Sequence, residues 1–99
     1  NYKKNFNGVI DTYEINRFIN HLIEKKLYKK KIRTTFNLSA LKPICMIDLV
    51  KMIKKYYLSS SKIMIEKNSM NNYIINNNKV CNKLKFFPST TLDTVERNL

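Results

Sequence analysis

Few side chains in this chain could serve as a nucleophile, a general base or a soft metal ligand: the candidates are Cys45, Cys81 and the single histidine, His21. None of the three lies near another Cys or His at the spacing of a zinc site, and two distant cysteines do not indicate a disulfide framework. His21 falls on the polar side of a predicted helix with no nucleophile at helical spacing. We therefore expect a solvent-facing histidine, ordinary half-buried cysteines, no metal site and a reducing, cytoplasmic location.

The lysines around residues 29–31, with Lys25 and Lys26, are the best candidates for contact with phosphate groups. A formal net charge of +12 and a pI near 9.9 would suit a nucleic-acid partner, because cationic surfaces displace counterions from polyphosphate. However, Gly occurs once, Pro twice and Trp never, a composition typical of AT-rich genomes, which make surfaces basic without selection for binding. We predict mostly solvated lysines and expect no nucleic-acid partner. A small basic nucleic-acid-binding module is kept as the alternative function, although Tyr56 and Tyr57 are predicted to pack rather than to stack on bases.

The 99 residues are interpreted as a single segment, 1–99, because no linker divides them. The apolar runs are only a few residues long, well below the roughly 20 that cross a bilayer, so no membrane contact is expected. The chain begins with Asn1 rather than Met and no address peptide follows, which indicates a carboxy-terminal fragment. Expressed alone, such a piece should self-associate or stay partly disordered, because its apolar edges are uncovered.

Two segments carry the pattern that starts a helix. In the first, Asp11 is the predicted cap and Glu14 is placed to reach back to it; the helix should run to about Tyr28. In the second, Ile44 and Leu49 form a hydrophobic staple across Cys45, a weak cap. The apolar residues that should face inward are Ile15, Phe18, Ile19, Leu22 and Ile23 in the first helix and Met46, Leu49, Val50, Ile53, Tyr56 and Tyr57 in the second.

The remaining segments predict short strands and two closing helices. Alternation predicts strands over residues 32–38 and 62–67 and a short third strand over 73–75, with turns or loops at 39–43 and 68–72. A cap within residues 76–78 should start a helix that holds Val80 and Leu84. Thr90 should cap the last helix, with Asp93 in its first turn and Leu92, Val95 and Leu99 facing inward. The predicted fold class is α/β, mixed and helix-rich, with about four helices and two or three short strands.

Four stretches, taken in order, resemble the carboxy-terminal third of the extended short-chain dehydrogenase/reductase superfamily, the NAD-dependent epimerases and dehydratases of nucleotide sugars. VIDTYEI at residues 9–15 resembles the family's strand that ends in paired acids before a helix. FNLSALKPI at residues 36–44 is similar to its aromatic-Asn strand, tight turn and helix start. DLV at residues 48–50, with Ile53, resembles the next helix. YIIN at residues 73–76, with Lys79, Leu84, Phe86 and Pro88, resembles the closing segment.

The resemblance implies that these residues form the substrate-side portion of an NAD(P)-dependent epimerase, dehydratase or reductase. It implies a nucleotide-sugar substrate and a missing amino-terminal Rossmann portion that would bind NAD or NADP and hold the catalytic residues. The role of the present segment would be to shape the cleft and to recognise the sugar nucleotide. A third reading is a decayed, non-catalytic relative that only packs against a partner.

Several family features are absent from the sequence. The family's turn after the aromatic-Asn strand usually has glycines where Ser39 and Leu41 stand, and an Arg that binds the nucleotide diphosphate would fall near Asn7. A dinucleotide fingerprint needs several glycines, whereas only Gly8 is present. The family's catalytic Tyr is followed four residues later by Lys, and no Tyr here is. We therefore predict that the chain alone is inactive, with no catalytic, cofactor-binding or metal residue, and with its substrate-binding residues unknown.

Overall fold

The computed structural model describes residues 5–29, 35–64 and 73–99. The helices and strands of these ranges follow the order β1 (Asn5–Phe6), α1 (Thr12–Glu24), a 3-10 helix (Leu27–Lys29), β2 (Ile44–Cys45), α2 (Met46–Tyr56), α3 (Asn78–Leu84) and α4 (Thr91–Arg97). The described residues therefore form a mixed, helix-rich α/β chain, as predicted.

Two predicted helix starts are confirmed by their caps. The carboxylate of Asp11 accepts a hydrogen bond from the backbone N–H of Glu14 at 2.9 Å, at the start of α1. The hydroxyl of Thr90 accepts one from the backbone N–H of Asp93 at 3.1 Å, at the start of α4. Cys45 precedes α2 without a side-chain cap bond. These starts are local features, because each cap satisfies an N–H only three residues away.

Helices α1, α2 and α3 are each followed by a residue in the left-handed region that is not glycine: Lys26 (φ 53°), Leu58 (φ 51°) and Lys85 (φ 53°). At the end of α2, the N–H of Leu58 donates to the carbonyl of Lys55 and the N–H of Ser59 donates to the carbonyl of Lys54, the two bonds of a Schellman motif. The turn at Lys26 also explains why α1 ends at Glu24 and not near Tyr28. A side chain in this conformation costs roughly 1 kcal/mol relative to glycine.

The two strands lie where none was predicted. β1 and β2 pair antiparallel, with Asn5 opposite Cys45 and Phe6 opposite Ile44. The predicted strands over 32–38 and 62–67 are wrong in their described parts, since residues 35–38 and 62–64 form no strand. Residues 32–34 and 65–67 lie outside the described ranges, as does the predicted loop at 68–72. Of the strand over 73–75, only an isolated bridge between Tyr73 and Phe6 forms.

The buried core of the described residues joins α3 to α1 and to the segment after α3. Val80, Leu84 and Phe86 are buried, and Phe18 and Leu22 of α1 pack against them. Phe36 and Leu38 also pack on this core, while Thr35 and Asn37 between them are exposed. The alternation in the sequence thus predicts correctly which side chains turn inward, but not a hydrogen-bonded strand.

A large apolar surface stays exposed on the described residues. Ile15, Ile19 and Ile23, which should have faced inward along α1, are 41%, 46% and 57% exposed. Leu92 of α4 is exposed too, contrary to prediction, because Thr91 and Thr94 occupy the buried face of that helix. α2 has no buried residue. The core therefore covers only part of each apolar helix face.

Candidate functional site

One of the buried polar side chains is that of Asn7, which is only 2% exposed. Its Nδ2 donates to the carbonyls of Ala40 and Ile75, both at 2.9 Å, and its Oδ1 accepts from the N–H of Ile75 at 2.7 Å. A single amide thus joins three segments that are far apart in sequence. Since both ends of the amide are hydrogen-bonded within the chain, Asn7 is a structural residue.

A second asparagine, Asn77, completes this polar cluster. Its Oδ1 accepts from the N–H of Ser39 at 2.8 Å, and its Nδ2 donates to the carbonyl of Ala40 at 3.2 Å. The hydroxyl of Ser39 donates to the carbonyl of Asn7. Asn77 precedes α3 but makes no side-chain cap bond, because its amide is used by residues 39 and 40. The cluster fixes the turn that resembles the family's glycine turn.

Glycine is not required at Ser39 or Leu41 in this turn. Neither residue has a positive φ; the left-handed residue is Lys42, at φ 50°. The strained position of this turn is therefore at a lysine. Asn7, beside the turn, is buried and its amide is hydrogen-bonded to Ala40 and Ile75.

The charged residues of α1 and α4 form a second cluster, which we call the acid–arginine cluster: Asp11, Glu14, Arg17 and Arg97. The guanidinium of Arg97 binds the Asp11 carboxylate through Nε at 2.8 Å and Nη2 at 3.0 Å. Asn98 adds a third bond to Asp11 at 2.8 Å. The bidentate contact joins the end of α4 to the cap of α1.

Glu14 is the buried acid of this cluster. One carboxylate oxygen accepts from Arg17 Nε at 2.5 Å and the other from the N–H of Ser89 at 2.8 Å. The reciprocal cap predicted for Glu14 is not among its contacts; the carboxylate instead holds the segment that leads into α4. Burial by itself raises the pKa of Glu14, but the hydrogen bonds from Ser89 and the ion pair with Arg17 outweigh it and keep that pKa below its ordinary value.

Asp11 and Arg97 stabilise each other's charged form. The hydrogen bonds from Arg97 hold the pKa of Asp11 well below its ordinary value, with Asn98 and the N–H of Glu14 adding to the effect. The same contact raises the pKa of Arg97 above its usual range. A carboxylate with a lowered pKa is a poor general base near neutral pH. The cluster is therefore suited to holding two helices together.

The prediction that His21 faces solvent is wrong. It is half-buried, its Nε2 donates to the carbonyl of Leu84 at 2.6 Å, and its ring lies against Phe86 with the ring centroids 5.4 Å apart. The C-terminal carbonyl of a helix is a favourable partner for a histidine N–H. His21 thus ties α1 to α3.

The two cysteines are half-buried, as expected. Burial raises the pKa of the Cys81 thiol, which disfavours the reactive thiolate. The Sγ of Cys45 donates to the Oδ1 of Asn5 at 3.1 Å. Within residues 5–29, 35–64 and 73–99, no group of three His, Cys, Asp or Glu side chains is placed to hold a metal ion.

The residues considered for nucleic-acid contact lie apart from both clusters. Lys25, Lys26 and Lys29 are exposed, and residues 30–31 lie outside the described ranges. Tyr56 and Tyr57 contact each other edge to face at 5.0 Å but remain 58% and 60% exposed, so they pack less than predicted. No helix of the described residues is long and apolar enough to span a membrane.

The sequence has one glycine, Gly8, on which a dinucleotide fingerprint could be built. Gly8 has no positive φ, and a Cβ added there would lie 3.6 Å from the Tyr73 ring, an ordinary contact. Neither the backbone conformation nor the available space requires glycine at this position. A pyrophosphate site needs glycines that let the backbone approach the phosphates at a helix start, and the turn at Gly8 is not built in that way.

Comparison with known proteins found no relative. No protein-family model matches the chain, and neither a curated protein nor a solved structure matches it.

Proposed function

We propose that this chain is the carboxy-terminal, substrate-side segment of an NAD(P)-dependent nucleotide-sugar epimerase, dehydratase or reductase. In this proposal the cofactor and the catalytic Tyr and Lys belong to polypeptide beyond these 99 residues. The segment would contribute shape and recognition to the cleft and perform no proton or hydride chemistry itself.

The order of the four resembling stretches carries the proposal. Helices begin directly after Asp11, Cys45 and Thr90, and α3 begins directly after Asn77. Each helix start falls within or next to a resembling stretch. The backbone N–H of Ala40 donates to the carbonyl of Val9 at 3.1 Å and so joins the first and second stretches. Asn7, just before the first stretch, bonds to Ala40 of the second and Ile75 of the fourth. Three of the four likenesses are thus in direct contact, which supports the proposal.

The exposed apolar face of α1 gives a second line of support. Ile15, Ile19 and Ile23 recur every four residues and so form one ridge along the helix. Burying apolar surface is worth about 25 cal/mol per Å², so such a ridge favours contact with further polypeptide. A cofactor-binding portion packed on α1 would cover it.

The test is to read the coding sequence upstream of these residues and to express the whole product. The proposal expects a strand, a glycine-rich turn and a helix, followed by a Tyr with Lys four residues later. The purified product should bind NAD or NADP, and NAD(P)H absorbance or product analysis should reveal turnover of UDP-, dTDP-, GDP- or CDP-sugars. The 99-residue chain alone serves as the control and should bind no dinucleotide. An upstream sequence without the glycine-rich turn would refute the proposal.

A decayed, non-catalytic relative is the second candidate, and the buried Asn7 favours it. A functional diphosphate site would keep a cation where Asn7 is enclosed and internally bonded. This candidate predicts that the whole product binds dinucleotide weakly or not at all and turns over no sugar nucleotide. Measurable turnover would eliminate it.

A further inference from the structure

A cavity of about 510 Å³ lies between the second half of α2 and residues 59–64. Val50, Ile53 and Ile63 give it an apolar wall, and Lys54 and Lys62 are its cationic lining residues. An adjoining cavity of about 520 Å³ shares Lys54 and Ile63 with it. Neither belongs to the Asn7 cluster or to the acid–arginine cluster.

The turn at Leu58 creates the first cavity. Its left-handed conformation and the bond from the Ser59 N–H to the carbonyl of Lys54 reverse the chain at the end of α2. Residues 59–64 then run beside the helix, with Ile63 half-buried. A backbone turn, rather than a loose surface loop, thus positions one wall against the other.

Every charged side chain among the described lining residues of this cavity is a lysine. No acidic residue is among the described residues that line either cavity. Lys54 and Lys62 form no ion pair within the described part of the chain, and the adjoining cavity adds Lys51 and Lys55. Clustered lysines raise the local potential and attract anions.

We infer that this cavity binds a small amphipathic anion, with its apolar body against Val50, Ile53 and Ile63 and its carboxylate, sulfonate or phosphate between Lys54 and Lys62. The volume falls in the range of small-molecule sites, roughly 300 to 1,000 Å³. An apolar wall beside two cations without acidic partners complements such a ligand better than it complements a neutral or purely polar one. The inference is independent of the proposed function.

The test uses the full 99-residue chain and the probe 1-anilinonaphthalene-8-sulfonate, an amphipathic anion whose fluorescence rises in apolar surroundings. Saturable binding at one site is expected, with displacement by dodecanoate and not by dodecanol, which has the same chain without the charge. The double variant Lys54→Gln/Lys62→Gln should bind roughly tenfold or more weakly, since charge-assisted bonds are lost. Amide chemical shifts should move at Ile53 and Ile63 and not at Val80.

The matched control is Lys25→Gln/Lys83→Gln, which removes the same charge from exposed positions on other elements. It should bind the probe within about twofold of the parent chain, because distant surface charges contribute little. Circular dichroism checks that both double variants keep the helical content of the parent. An equal loss in both variants, displacement by dodecanol, or unsaturable fluorescence would each overturn the inference. The inference would also be overturned if the chain sediments with phosphatidylserine vesicles through Lys54 and Lys62 while the free probe does not bind. That result would assign this face to a lipid surface.

Discussion

The guanidinium of Arg97 binds both carboxylate oxygens of Asp11, at 2.8 and 3.0 Å, across 86 positions of sequence. Asp11 also caps α1 through the N–H of Glu14. One carboxylate therefore starts the first helix and anchors the last. This double use makes the pair a direct link between α1 and α4.

A double-mutant cycle should detect this link. Asp11→Asn keeps a side-chain oxygen for the helix cap but loses the ion pair. Arg97→Gln loses the guanidinium and its two hydrogen bonds to Asp11. We expect a coupling energy of about 1 kcal/mol from urea unfolding, the upper range for an ion pair that water can reach, because Arg97 is partly exposed. Strictly additive losses would mean that the two residues contribute separately.

The stability of the fold should fall as the pH is lowered, because folding lowers the pKa values of two carboxylates. The pKa values of Asp11 and Glu14 lie below their ordinary values of 3.8 and 4.5 in the folded chain. The unfolded state therefore binds more protons, so the stabilisation is complete above about pH 5 and is lost as the pH falls through the folded pKa values. Thermal unfolding at about pH 7, 5 and 3 measures it. Asp11→Asn should show a smaller drop between pH 5 and 3 than the parent chain; an equal drop would exclude Asp11 as a cause.

The buried Asn7 should tolerate neither removal nor enlargement. Asn7→Ala leaves the N–H and carbonyl of Ile75 and the carbonyl of Ala40 without this partner, which should cost roughly 2 to 4 kcal/mol. Asn7→Arg, which introduces the residue that the proposed family would have near this position, should destabilise the fold for lack of space. Asn37→Ala, at an exposed position, is the control and should change the urea midpoint little. A stable Asn7→Arg variant that gains affinity for UDP would contradict the structural role assigned to Asn7.

Replacing a left-handed residue after a helix with glycine should stabilise the chain. Lys85→Gly should stabilise the chain by about 1 kcal/mol, because glycine adopts φ near 53° without the Cβ penalty. Lys83→Gly, inside α3, should destabilise it by a similar amount, because glycine is a poor helix former. Urea midpoints that move in the same direction for both variants would contradict the strain assigned to Lys85.

The sequence predicts the local features of this fold well. The caps at Asp11 and Thr90 and the inward side chains Phe36 and Leu38 follow from neighbouring residues alone. The end of α1 was missed because a lysine adopts a conformation for which the sequence carries no glycine signal. Sequence patterns locate a helix end chiefly through glycine and cap signals of this kind.

The candidate site was harder to predict because it depends on contacts between distant residues. The resemblance places a phosphate-binding Arg of the family near Asn7, yet the Asn7 amide bonds to Ile75, 68 positions away. Glu14 was expected to act within its own helix, yet it accepts from Ser89, 75 positions away. Neither partner leaves a periodic or short-range pattern. The two-residue strands were missed for the same reason, since Asn5 and Cys45 pair across the chain.

The exposed ridge of α1 makes the predicted self-association testable at one residue. Ile19 lies at its centre between Ile15 and Ile23 and is 46% exposed. Ile19→Lys should shift sedimentation toward the monomer and leave the urea midpoint nearly unchanged, because the variant removes apolar contact between chains while the core stays intact. The matched change Asn20→Lys adds the same charge on the neighbouring polar face and should leave association much as in the parent. If Asn20→Lys reduces association equally, charge repulsion and not the isoleucine ridge controls association. If the parent chain is already a monomer with a sharp, concentration-independent thermal transition, the ridge needs no covering partner.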